Sequence, residues 1–64
     1  MCPDCAHQVG RPPGKAPHAQ LLAADAAVDR QYRERDEQSL YQCSACSSVL
    51  SNHPVTGWIL AHRN

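Results

Sequence analysis

The sequence contains few large apolar side chains. Among its 64 residues there are no Phe, one Trp, two Tyr and one Met, while nine of the residues that count as hydrophobic are Ala. Leu, Ile and Val together number ten. A chain of this length hides only about 60% of the surface that it exposes when unfolded. A core built from these residues would be marginal, so we expect disulfides or a metal to stabilise the fold.

An excess of one charge and a long apolar run are also missing. Six Lys and Arg balance six Asp and Glu, which gives a formal net charge of zero. No apolar stretch approaches the roughly 20 residues that a membrane span needs. The first residues do not show the basic and then apolar pattern of a secretory signal. We therefore expect one cytoplasmic domain, residues 1–64, that makes no contact with a membrane.

The four cysteines form two pairs with the same spacing, Cys2 with Cys5 and Cys43 with Cys46. Two intervening residues let a tight turn direct both sulfurs at one ion, and two such turns make a closed tetrahedral zinc site. In a reducing cytoplasm, paired thiols are more often metal-binding or redox-active than joined as disulfides. The pattern predicts one Zn²⁺ per chain held by four thiolates. The alternatives are disulfide or redox-active pairs, and cysteines that are unrelated to one another.

Histidine is another common zinc ligand. His7 closely follows the first cysteine pair, and His53 and His62 lie in the C-terminal part of the chain. Because four thiolates already complete a tetrahedron, we expect these histidines at the surface or beside the site. A contribution from one of them to the metal is the alternative.

The residues between the two cysteine pairs divide into a linker and a helix. Residues 10–17 contain three Pro and two Gly, which disfavours regular structure and predicts a flexible linker. Residues 19–37 are mostly strong helix formers, and apolar residues from Leu21 to Tyr32 recur at intervals of three and four. The pattern predicts a helix over residues 19–37. Without metal, we expect the chain to be largely unfolded outside this helix.

Short strands are predicted around the second cysteine pair. The candidate strands cover residues 39–43, 48–50 and 56–60. Residues 51–54 predict a turn between the second and third of them. We expect the apolar side of the helix to pack on this sheet at Leu50 or Trp58.

The motifs Cys2-Pro3-Asp4-Cys5 and Cys43-Ser44-Ala45-Cys46 resemble the metal-binding turns of the zinc-ribbon group. That group has a rubredoxin-like architecture, in which two cysteine-bearing turns and a small antiparallel sheet hold one ion. The resemblance covers residues 1–6 and about 39–62, and it implies that the metal ligands are Cys2, Cys5, Cys43 and Cys46. The implied fold is a small metal-stabilised α+β domain: a zinc ribbon with two CxxC knuckles, a short antiparallel β-sheet and one inserted helix.

Two features distinguish this chain from the zinc-ribbon group and from rubredoxins. Zinc-ribbon turns usually carry Gly directly after the second cysteine, where a left-handed backbone is easiest, but here the residues are Ala6 and Ser47. We therefore expect either a strained turn or a different turn geometry. Rubredoxins bind iron in the same four-sulfur tetrahedron, and iron is less favoured here because few aromatic residues are available to enclose it.

The predicted site limits the function. A zinc ion enclosed by four thiolates has no open position for substrate, so we expect a structural site and no enzyme. Four thiolates and one Zn²⁺ would change the formal charge from zero to −2, whereas nucleic-acid modules are generally basic. We therefore expect a protein-interaction adaptor or regulatory protein. Its candidate contact residues are Val55, Trp58, Ile59 and Leu60, and the alternative is that all four belong to the core.

Two other functions remain open. The first is a zinc finger that binds nucleic acid weakly. Its candidate contact residues are Arg11, Lys15, His18 and Arg63. The second is a rubredoxin-like electron carrier containing iron.

Overall fold

A four-stranded antiparallel sheet forms the centre of the computed structural model, which describes residues 1–64. The strands are β1 (Leu21–Ala23), β2 (Ser39–Cys43), β3 (Val49–His53) and β4 (Gly57–His62), and they are neighbours in this order. Two short helices, α1 (Pro3–Gln8) and α2 (Ala26–Tyr32), complete the fold. Neither helix is long and apolar enough to cross a membrane. The fold is therefore α+β, with one strand and one helix beyond those predicted.

One face of the sheet, called here the cysteine face, carries the apolar core. Leu21, Leu50 and Trp58 lie in one buried cluster with Cys5 of α1 and Cys43 of β2. Leu50 and Trp58 are almost completely buried. The small core predicted from composition is thus centred on the cysteines themselves.

The opposite face, called here the α2 face, is contacted by Tyr32 of α2 and by Gln38 in the segment that follows it. Tyr32 of α2 stacks on His62 with ring centroids 5.2 Å apart, and His62 pairs with Val49 in the sheet. Beside them, Gln38 Nε2 donates to the buried Ser51 Oγ over 3.2 Å. Because neighbouring strand residues point to opposite sides, Tyr32 lies on the other face of the sheet from Leu50 and Trp58, so the predicted packing is wrong for α2. It is correct for Leu21, which packs with Leu50 and Trp58 from β1.

The predicted helix over residues 19–37 is wrong at its start. Leu21–Ala23 forms β1 instead, with Leu21 opposite Cys43 on β2. Burial of Leu21 in the cysteine cluster outweighs the modest helix propensity of this segment. The helix begins only after Asp25, whose Oδ1 accepts a hydrogen bond from the Val28 N–H at 2.9 Å, as in a typical N-cap.

The end of the predicted helix is also wrong, because a side-chain network replaces helical hydrogen bonds after Tyr32. Arg33 forms an ion pair with Asp29 at 2.7 Å, and its Nη1 donates to three backbone carbonyls between residues 35 and 38. Gln38 Oε1 accepts from two backbone N–H groups at residues 34 and 35. These bonds satisfy the backbone without a further helical turn.

Residues 10–17 contain neither helix nor strand, as predicted, but they are bound along β4. The Gly10 N–H donates to the Trp58 carbonyl (2.8 Å), and the Trp58 N–H donates to the Arg11 carbonyl (2.9 Å). The indole Nε1–H of the same tryptophan donates to the Lys15 carbonyl over 2.8 Å. The flexibility of this segment stays a prediction, but these contacts give it fixed partners.

The hairpin between β3 and β4 lies later than predicted. β3 continues to His53, so most of the predicted turn at residues 51–54 belongs to the strand. The chain turns over residues 54–56 and enters β4 at Gly57, which has a positive φ of 79°.

Candidate metal centre

The four cysteines meet on the cysteine face of the sheet. Cys2 precedes α1 and Cys5 lies within it, while Cys43 ends β2 and Cys46 lies in the turn before β3. Their Sγ atoms all lie within 4.8 Å of one another. The four residues predicted as ligands are therefore brought together and arranged to bind a metal ion.

The sulfur positions suit a tetrahedral ion better than disulfides. With Zn–S bonds of about 2.3 Å, the sulfurs of a regular tetrahedron lie about 3.8 Å apart. The Cys2 and Cys43 sulfurs are 3.8 Å apart, and those of Cys5 and Cys46 are 3.7 Å apart. A disulfide would need about 2.05 Å, and all four cysteines are free. The donor set fits zinc or iron equally well, so the identity of the metal stays a prediction.

The second cysteine pair forms a turn of the kind expected for a zinc ribbon. The Ala45 N–H lies 3.4 Å from Cys43 Sγ and points a donor at it. The Ser47 N–H donates to the Cys43 carbonyl, and Ser47 has a left-handed φ of 65°. The turn therefore keeps its usual geometry although the residue there is not Gly.

The first pair adopts a different geometry. Cys2 is the N-cap of α1, Pro3 occupies the first helical turn, and Cys5 and Ala6 are helical. The Ala6 N–H donates to the Cys2 carbonyl over 3.0 Å. Because Ala6 is helical and not left-handed, this position does not require Gly. The strained turn and the different turn geometry, expected as alternatives from the missing glycines, therefore both occur. The strained left-handed residue is Ser47, and the different geometry is that of the turn before Ala6.

His18 contacts the centre, although its position in the sequence gives little sign of this. Its Nε2 lies 3.2 Å from Cys5 Sγ, and its Nδ1 accepts a hydrogen bond from the Gln20 N–H. This second bond assigns the proton to Nε2, which makes His18 a donor to the sulfur. Such contacts from residues beyond the ligands orient a metal ligand and adjust its charge.

The three histidines considered from the sequence as zinc ligands lie away from the cysteine sulfurs. His53 Nδ1 accepts from the Val55 N–H, and His62 stacks on Tyr32 on the α2 face. His7 is exposed on α1. None of them belongs to the group of candidate metal ligands, which contains cysteines alone.

The electrostatics of the centre favour a bound cation. Burial raises the pKa of the Cys5 thiol, and the neighbouring thiols of Cys43 and Cys2 raise it further. The hydroxyl of Ser48, followed by backbone N–H groups, lowers the pKa of Cys46 to about 5. Of these two sulfurs, Cys46 ionises readily, whereas Cys5 keeps its proton unless a positive charge lies beside it. A divalent ion would supply that charge and displace the thiol protons.

No protein-family model, curated protein or solved structure matches this chain. Its class is therefore defined by its own features: a small α+β protein with four cysteines arranged to bind a metal ion. The resemblance of this chain to the zinc-ribbon group is based on its two cysteine-bearing turns.

Proposed function

We propose that this chain is a structural zinc-binding module of the zinc-ribbon kind. The convergence of four sulfurs from two distant parts of the chain supports this most directly. Four thiolates complete the coordination of zinc, so the ion would join α1 to the β2–β3 turn and leave no position for a substrate. Zinc is preferred to a redox iron because Cys2 and Cys46 are only half-buried, which leaves the centre open to water.

Elemental analysis of the purified protein tests the metal. We expect one zinc per chain, a colourless solution, and a content well below one for Cys43→Ser, in which three thiolates remain. Ser44→Ala is the matched control because it removes a neighbouring hydroxyl and no sulfur. Stoichiometric iron with visible absorption would replace zinc in this proposal. A compact protein without stoichiometric metal would refute it.

An adaptor role is the second part of the proposal, and exposed apolar residues at the β3–β4 hairpin support it. Among the candidate contact residues, Trp58 is buried and Leu60 is half-buried, whereas Val55 is 82% exposed and Ile59 is 40% exposed. Isolated apolar residues are common on surfaces, so the support comes from their occurrence together at one hairpin. We propose that another protein binds there.

Capture from a native extract, with the zinc-loaded protein as bait, tests this role. We expect a specific partner to be retained by the wild type and lost by the double variant Val55→Ser, Ile59→Ser. Leu22→Ser is the matched control, since Leu22 is 58% exposed on β1, at the other edge of the sheet. Equal loss in the control, or retention by the hairpin variant, would contradict binding at the hairpin.

Weak nucleic-acid binding is the alternative, and one observation favours it. Arg11, Lys15 and His18 line one cleft, although Arg63 lies outside it. Few phosphate contacts should produce a shallow dependence of affinity on salt. A steep fall of RNA or DNA affinity with added salt would favour this alternative over the adaptor.

A further inference from the structure

A polar cleft of about 430 Å³ lies beside α1, next to the segment of residues 10–17. Arg11, Lys15, His7 and His18 line it, and Asp4 is the only carboxylate among its lining residues. It has no hydrophobic lining residue. Among the lining side chains, the two cations Arg11 and Lys15 outnumber the single carboxylate, so the lining favours an anion.

The two cations of the cleft have no partner that would neutralise them. The ion pairs in the structure are those of Arg33 with Asp29 and of His53 with Glu37. Arg11 uses only Nε, which donates to the His7 carbonyl over 2.9 Å, so both terminal nitrogens of its guanidinium remain available. Lys15 makes no side-chain hydrogen bond. These donors are available to a ligand.

The backbone beneath these cations is held by the buried Trp58. The Arg11 carbonyl accepts from the Trp58 N–H (2.9 Å), and the Lys15 carbonyl accepts from the indole Nε1–H (2.8 Å). The Lys15 N–H also donates to the Pro12 carbonyl, which closes a turn. Because the fold already positions both residues, ligand binding would order only their side chains.

We propose that this cleft binds a phosphate group. The guanidinium of Arg11 would donate two parallel hydrogen bonds to phosphate oxygens, and the Lys15 ammonium would add a point charge. The volume lies within the usual range for small-ligand sites, about 300–1,000 Å³. Since the lining contains no Leu, Ile, Val or Met side chain and no Phe, Tyr or Trp, we take the phosphate itself as the recognised part of the ligand.

NMR of the ¹⁵N-labelled, zinc-loaded protein tests this site with inorganic phosphate at constant ionic strength. We expect saturable amide shifts confined to α1 and residues 10–18. Arg11→Gln and Lys15→Gln should each weaken phosphate binding about three- to fivefold, as expected for loss of one exposed charge contact. The matched control is Arg30→Gln, which removes an exposed cation of α2 and should leave the affinity unchanged.

Several outcomes would overturn the proposal. Shifts that fail to saturate, that spread over the surface, or that weaken equally in Arg30→Gln would show diffuse attraction by charge. Folding of the variants is checked by their zinc content, and Lys15→Gln removes no hydrogen bond of the fold.

Two further probes identify the source of the phosphate. A nucleoside monophosphate that binds as well as a short single-stranded RNA at equal phosphate concentration would indicate a small phosphorylated ligand. Much tighter binding of the RNA, sensitive to Lys15→Gln, would place the phosphate in a nucleic-acid backbone. Binding of neither probe, together with no saturable binding of inorganic phosphate, would overturn the site.

Discussion

Among single residues outside the cysteines, His18 has the most direct effect on the metal centre. Its Nε2–H donates to Cys5 Sγ, and the Gln20 N–H fixes the tautomer. Once Cys5 is a thiolate, this bond withdraws charge from the sulfur and limits its orientation. We therefore infer that His18 would act as a positioning residue for a bound metal, through Cys5, and not as a ligand.

We expect His18→Ala to lower zinc affinity about 10-fold or more, because Cys5 loses this donor while it keeps its place in the metal cluster. His18→Gln should restore part of the affinity, since an amide N–H has a similar reach. Competition with a chromophoric chelator measures the affinity, and the thiolate-to-cobalt absorption of the Co²⁺-loaded protein reports on the sulfur itself.

His7→Ala is the control for His18, because the His7 side chain is exposed and makes no hydrogen bond to a sulfur. Both the zinc affinity and the cobalt spectrum should match the wild type. If His18→Ala also leaves the cobalt spectrum unchanged, His18 does not act on Cys5.

The two residues that follow the cysteine pairs should respond to glycine in opposite directions. Ser47→Gly should raise the free energy of unfolding by about 1 kcal/mol, because Ser47 is left-handed and Gly adopts that conformation freely. Ala6→Gly should lower it by about 0.5–1 kcal/mol, because Ala6 is helical. Urea unfolding at one fixed free zinc concentration measures both. Changes of the same sign would mean that the two turns share one geometry.

Among the elements, the segment around α2 shows why local pattern predicts only part of the fold. Its composition correctly indicates a helix. Leu21, however, lies in β1 and not in the helix, because it is buried in the core with Trp58. Asp25 is a readable N-cap signal that would have moved the predicted start to Ala26. The end depends on Arg33 and its carbonyl partners, which a helical pattern does not reveal.

The candidate metal centre, likewise, can be predicted in part from local spacing and in part depends on residues that are distant in the sequence. The two cysteines of each pair are separated by two residues, and this spacing alone identifies the four predicted ligands. His18 reaches Cys5 across 13 residues and Lys15 reaches Trp58 across 43. Contacts over such separations follow from the folded path of the chain, and residue spacing does not reveal them.

The contact between residues 10–17 and β4 depends on a glycine. Gly57 has a φ of 79°, and a Cβ there would overlap the backbone carbonyl oxygen of Arg11. We expect Gly57→Ala to lower the free energy of unfolding by more than about 1 kcal/mol. It should also release the segment from β4, and faster hydrogen exchange of the Trp58 indole N–H would report this release.

Gly14→Ala is the matched control for Gly57. A Cβ at Gly14 meets nothing within 4 Å and its φ is not positive, so the substitution should be neutral or stabilise by up to about 1 kcal/mol. If Gly57→Ala is equally neutral and the indole N–H stays protected, residues 10–17 do not depend on this close approach.

For the whole molecule, we expect a bound metal to supply cohesion that the core lacks. Only 13 of 64 residues are buried, and two members of the five-residue central cluster are Cys5 and Cys43. A core this small contributes a few kcal/mol at best, whereas structural zinc contributes about 10–16 kcal/mol in small peptides. A bound ion would also join parts of the chain that are 41 residues apart.

Removal of zinc by a chelator should therefore unfold the sheet and α2 together. The sequence-based expectation that the helix survives without metal depends on the range 19–37. The seven residues of α2 fall below the roughly 12–15 needed for even a marginal isolated helix. Far-UV circular dichroism and Trp58 fluorescence should change at the same chelator concentration, and added zinc should reverse both. A metal-free chain that keeps its helical signal while the Trp58 signal is lost would mean that α2 is stable without the sheet.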